Sequence, residues 1–192
     1  LIEFAEWQGM AFRTVQAKRC GLAFGAASVV VKPHGSTQWN RDGNLQQLGG
    51  PDDLRQDYCE RYAFDHADVQ LSPSAHMLDY LKGVGWDVRP DAEVSFNPFP
   101  APLALAAAAD RPAAGGPTEL VFFGRLEVRK GLDLFLDALD GIDPAVPVTF
   151  LGKDTPLPNG ERAVDRIAWR TAGRQRVRVV TDYNRDQALS YV

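Results

Sequence analysis

Short apolar runs alternate along this chain with longer stretches of helical period. Leu1–Phe4, Ser28–Val31, Asp68–Ser72, Leu120–Phe123, Val148–Leu151 and Val177–Val180 are short, and most are rich in β-branched or aromatic residues. Such runs read as strands. Asp91–Asn97 reads as a further strand, and the residues after Val31 read as a loop up to Pro51. Between the strands, helices are predicted over about 10–24, 51–67, 75–82 and 160–172, with new helices opening at Gly131 and near Arg185. Pro51 with Asp52 and Asp53 suits a first helical turn, and Ser72-Pro73-Ser74 suits a cap. Leu54, Tyr58 and Tyr62 share one helix face. Strands alternating with helices predict an α/β chain with parallel sheets and helices on both faces.

Residues 98–117, PFPAPLALAAAADRPAAGGP, shift sharply to Pro, Ala and Gly and read as a linker. They divide the chain into a domain over 1–97 and a second over 118–192. A crevice between two such units is a natural ligand site. Leu1–Phe4 reads as the end of a strand and 186–192 as a helix cut partway, so both sheets are expected to be incomplete here.

Composition narrows the function classes. The 192 residues carry a net charge of −4, which argues against a nucleic-acid partner. No stretch is long and apolar enough to span a bilayer. Cys20 and Cys59 form no CxxC pattern and are expected as buried, reduced thiols in helices, which fits a cytoplasmic setting. Arg170, Arg174, Arg176 and Arg178 are expected as a solvated helix end and strand edge, and His66 and His76 carry no assigned chemistry.

The stretch Thr118–Leu136, TELVFFGRLEVRKGLDLFL, holds the most suggestive chemistry. Leu120–Phe123 reads as a strand covered on both faces. Gly124 then turns the chain, Arg125 and Lys130 follow in a charged loop, and Leu132, Phe135, Leu136 and Leu139 form one buried helix face. Strand, glycine, basic loop and helix start suit a diphosphate. A solvated loop in which Glu127 pairs Arg125 or Arg129 is the competing reading, and the residues alone leave both open. Glu6-Trp7-Gln8-Gly9 and His34-Gly35-Ser36 also fall at strand ends, where ligands sit in open α/β sheets. A structural, hydrogen-bonded His34 is the alternative there.

Taken in order, these segments resemble the retaining glycosyltransferases of the GT-B fold, of the family 4 type. The resemblance runs over essentially the whole chain. It includes Glu3-Phe4-x-Glu6-Trp7-x-Gly9, His34-Gly35, Ala67-Asp68 with Ser72-Pro73-Ser74, and Asn97-Pro98. Its most specific part is Phe123-Gly124-Arg125-Leu126-Glu127 followed by Arg129-Lys130-Gly131.

The resemblance implies two Rossmann-like domains, an acceptor side over 1–97 and a donor side over 118–192. It implies transfer of a sugar from a nucleotide-sugar to an acceptor with retention of configuration. Arg125 and Lys130 would hold the donor diphosphate, Gly124 would let the backbone approach it, His34 would reach the transferred sugar, and Gly9 would lie on the acceptor side. Neither a metal nor a resident cofactor is implied. A cytoplasmic protein is implied, with peripheral membrane association of the parent left open. The family's Glu-x7-Glu element would lie beyond Val192 and its first strand and Gly-rich loop before Leu1, so a fragment inactive on its own is expected. Alternatives are a non-catalytic sugar-nucleotide-binding or scaffold module of the same fold and a sugar-nucleotide epimerase.

Overall fold

A computed structural model of the chain describes residues 1–98 and 118–183. The expected linker over 98–117, apart from Pro98, and the expected helix from Arg185 lie outside the described residues. The described residues form two compact units. One comprises 1–42 and 47–98, the other 43–46 and 118–183.

The first unit is a parallel four-stranded sheet in the order β1 (Ile2–Ala5), β2 (Val29–Lys32), β3 (Val69–Ser72), β4 (Glu93–Val94). Its helices are α1 (Phe12–Arg19), α2 (Thr37–Gly43), α3 (Pro51–Asp65) and α4 (Ala75–Gly83). Val29 and Val31 of β2 point to one side of the sheet. They pack with Ala11 and Val15, with Ala63 and Phe64 of α3, and with Met77 and Leu81 of α4. All four β2 residues are buried, as expected for an inner strand of a parallel sheet. Ser74 caps α4 as the sequence predicts, its Oγ accepting the Met77 N–H at 3.2 Å.

Several boundaries differ from expectation. The helix predicted over 10–24 is only Phe12–Arg19, preceded by a 3-10 turn over Trp7–Gly9. Positive φ at Gln8 and Gly9, and again at Gly21 and Phe24, breaks the helical path on either side. The loop predicted after Val31 contains α2, started by Ser36, whose Oγ accepts the Trp39 N–H at 3.1 Å. Alpha-2 has no fully buried residue, so no apolar stripe announced it. The strand expected over 91–97 shrinks to Glu93–Val94. On α3 the buried face is Glu60, Ala63 and Phe64. Leu54 and Tyr58 are exposed, Tyr62 packs partly buried against the core, and Tyr58 and Tyr62 meet Phe12 of α1 edge-on. Neither cysteine is buried as expected. Cys20 follows α1 at the surface and Cys59 is half-buried, and both are free.

The second unit is a parallel three-stranded sheet in the order β5 (Leu120–Phe123), β6 (Val148–Leu151), β7 (Val177–Val180). Phe122, Val148 and Phe150 pack against Leu132, Leu136 and Leu139 of α5 (Leu132–Leu139) and Ala163 and Ile167 of α6 (Ala163–Arg170). Phe122, Phe135 and Phe150 meet edge-on or tilted at 5.4–6.1 Å. Among the described residues both helices thus cover one face, where helices on both were expected. Among the described residues β5 lies at the edge of its sheet, and Phe123 is 57% exposed, so the strand is not covered on both faces. The fully buried strand is β6. The α5 stripe of Leu132, Leu136 and Leu139 is buried as the spacing predicts.

Candidate functional site

Each unit presents a cluster at the carboxyl ends of its strands. In the first, the connections leaving β1 and β2 are tied together by two buried carboxylates. Glu6 follows β1 and is fully buried. Its Oε2 accepts the His34 N–H and its Oε1 the Gly35 N–H, both at 2.8 Å. Glu60, on the buried face of α3, accepts the Gln8 N–H at 2.9 Å, the Thr37 N–H at 2.7 Å and the Thr37 hydroxyl at 2.6 Å. Burial pushes both carboxyls above their ordinary range, against the pull of these donors, and the charge of Glu60 adds to the rise at Glu6.

His34 therefore sits on a loop fixed through its own main chain. Its side chain is exposed and makes no hydrogen bond or ion pair among the described residues. The bonds expected of a structural histidine go to the backbone, and the imidazole faces solvent. Gly9 has φ of 65°, and a Cβ there would come within 2.4 Å of the Cys59 Cβ. A close approach between the Trp7–Gly9 turn and α3 accounts for that glycine. Glu60 was absent from the candidates drawn from the sequence. A carboxylate one turn before Ala63 and Phe64 was the available signal.

In the second unit, β5 ends at Gly124, whose N–H donates to the Leu151 carbonyl at 3.0 Å. A Cβ on Gly152 would lie 1.7 Å from the Gly124 carbonyl oxygen, so only glycine fits there. The basic loop then forms a 3-10 turn, Val128–Lys130, and Gly131 enters α5 with φ of 81°. The buried Glu127 carboxylate pairs with Arg129 at 2.6 Å and meets Arg125 only at 3.5 Å. Arg129 is thereby a structural cation. Arg125 is about half exposed. Lys130 is exposed, makes no ion pair among the described residues, and runs its stem beside Gly124, within 3.8 Å of where a Cβ would stand. The structure brings together Gly124, Arg125 and Lys130 in one unit, and Glu6, Gly9 and His34 in the other.

Other sequence candidates resolve differently. Arg170 pairs with Asp137 and Asp140, while Arg174 donates to the carbonyls of Leu139, Ile142 and Asp143 and so closes the end of α5. A depression of about 380 Å³ is lined by Tyr58, Arg61, Tyr62, Asp65 and His66 and includes none of the predicted site residues. Among the described residues no three His, Cys, Asp or Glu side chains group as metal ligands, and no helix is long and apolar enough to cross a membrane.

Neither a family model nor a curated protein matches the chain.

Proposed function

We propose that this chain serves a retaining glycosyltransferase of the GT-B type, with the second unit holding the diphosphate of a nucleotide-sugar. One observation carries the reading. At the carboxyl end of β5 the buried Glu127 is committed to Arg129, which leaves Arg125 and Lys130 exposed beside Gly124 at the entry to a helix. Exposed cations there match the chemistry of a diphosphate better than that of a self-neutralised loop.

In this reading the bond between the sugar's anomeric carbon and the phosphate oxygen breaks, and a bond to the acceptor oxygen forms on the same face. The acceptor proton passes to the departing phosphate. Arg125 and Lys130 stabilise the charge that builds on that phosphate. His34 serves the transferred sugar, and the Glu6 carboxylate keeps its loop in place.

Calorimetry with nucleoside diphosphates, together with transfer from a labelled nucleotide-sugar by the product of the whole reading frame, tests this. Arg125→Ala or Lys130→Ala lowers transfer about 10²–10³-fold, the scale of losing one preorganised stabiliser of charge. Nucleotide binding without transfer would favour the non-catalytic module, and product without acceptor would favour an epimerase. Full activity in both folded variants would refute the clamp.

A further inference from the structure

The ladder between β5 and β6 does not stop at the strand ends. Phe123 pairs with Leu151, and an isolated parallel bridge follows between Leu126 and Asp154. The bridge keeps the strands' offset, although Gly124 and Gly152 are bends, and this places Gly124 beside Gly152 and Arg125 beside Lys153 in the sequence alignment of the two connections. The Leu126 N–H donates to the Lys153 carbonyl at 3.0 Å, which holds the two connections side by side. Like charges on adjacent connections repel. The nearby acids neutralise little of this charge. Asp154 accepts from the Arg162 guanidinium at 2.8 Å and from the Val164 N–H at 3.2 Å. Glu127 is held at 2.6 Å by Arg129 and meets Arg125 only at 3.5 Å. Lys153 is exposed and has no ionic partner among the described residues. Lys130 runs beside Gly124. Three cations thus collect at the ends of two adjacent strands, on backbone that Gly152 allows to come close.

Resting on the phosphate-clamp reading above, we propose that Lys153 is a third cationic contact of that site, and that three charges fit it to a diphosphate over a single phosphate. A diphosphate carries charge enough to meet Arg125, Lys130 and Lys153 together, and its arrival relieves the repulsion between Arg125 and Lys153.

The test is calorimetry of the chain with inorganic pyrophosphate and, separately, with inorganic phosphate. Lys153→Met keeps the length of the stem and removes the charge. Pyrophosphate binding should weaken about tenfold, the loss of one charge-assisted contact, with phosphate binding changed less and the melting temperature unchanged. Lys153→Arg should retain pyrophosphate binding. Lys82→Met, which removes the same charge from the last turn of α4, is the control. Equal losses in Lys153→Met and Lys82→Met would assign the effect to net charge and overturn the inference. Wild-type affinity in Lys153→Met, with losses in Arg125→Ala and Lys130→Ala, would overturn Lys153 alone and leave the clamp standing. Failure of the unmodified chain to bind pyrophosphate would overturn both.

Discussion

The Glu6 carboxylate accepts the backbone N–H of His34 at 2.8 Å while its other oxygen takes the N–H of Gly35. One buried side chain therefore satisfies two main-chain donors on a loop that leaves the neighbouring strand. Buried N–H groups without an acceptor are costly, so Glu6 fixes the path on which His34 is carried while leaving the imidazole in solvent.

Glu6→Gln should destabilise the first unit by about 1–3 kcal/mol, the cost of a buried donor left without its acceptor. The amide offers one oxygen where two are needed, and its NH₂ would face an N–H. Chemical denaturation, with hydrogen exchange at His34 and Gly35, checks this. Unchanged protection at both amides would show that the carboxylate does not hold the loop.

Glu6 and Glu60 also give stability an inverted pH dependence. Both folded pKa values are raised, so the folded state binds more protons than the unfolded chain between the ordinary carboxyl value, near 4.5, and the raised values. Their contribution should therefore grow as pH falls through that window and fade as pH rises above it. Asp68 opposes this trend. Burial works against its ionisation, but Lys18 and the Val29 N–H hold its carboxyl below the ordinary value, so its contribution is lost as pH falls through that lowered value. Denaturation midpoints of the wild type and of Glu60→Gln, followed across the acidic range, separate the two. A slope that Glu60→Gln leaves intact contradicts the assignment.

Gly152→Ala should cost about 1–3 kcal/mol or more, because its Cβ would lie 1.7 Å from the Gly124 carbonyl oxygen and force the β5 and β6 ends apart. Gly173→Ala meets nothing within 4 Å and serves as the tolerated partner. The two melting temperatures should differ clearly. Equal values would mean that the strand ends do not approach so closely.

Arg129 and Arg125 should separate by readout. Arg129→Ala removes the 2.6 Å partner of the buried Glu127 and should lower stability by about 3 kcal/mol or more, since a buried carboxylate loses its counter-ion. Arg125→Ala removes only a 3.5 Å, half-exposed contact and should leave the melting temperature nearly unchanged while weakening nucleoside diphosphate binding. A matching pair of melting curves would undo the distinction between the structural and the exposed arginine.

His34→Ala should impair sugar transfer more than it weakens binding of the free nucleoside diphosphate, because the imidazole belongs to a different unit from the proposed clamp and bonds to nothing among the described residues. Calorimetry beside a transfer assay measures both. Parallel losses in the two would make His34 a structural residue.

The α/β alternation was legible because strand and helix periods are local. Val148–Leu151, Val177–Val180 and the Leu132, Leu136 and Leu139 stripe could be read directly, as could the Ser74 cap, whose hydroxyl bonds only three residues away. Gly124, Arg125 and Lys130 were legible as residue types at a strand end. Which of the two arginines Glu127 holds at short range was not, because it could reach either, and only folded distances decide that. Tertiary structure alone placed Leu120–Phe123 at a sheet edge among the described residues, since strand order depends on pairing between distant segments. It alone assigned Glu6 and Glu60 to the donors of His34, Gly35, Gln8 and Thr37, partners 23 to 52 residues apart. Long-range hydrogen bonds leave no period in a sequence. A buried carboxylate shows there only as one more charge, and its meaning waits on the donors that the fold brings to it.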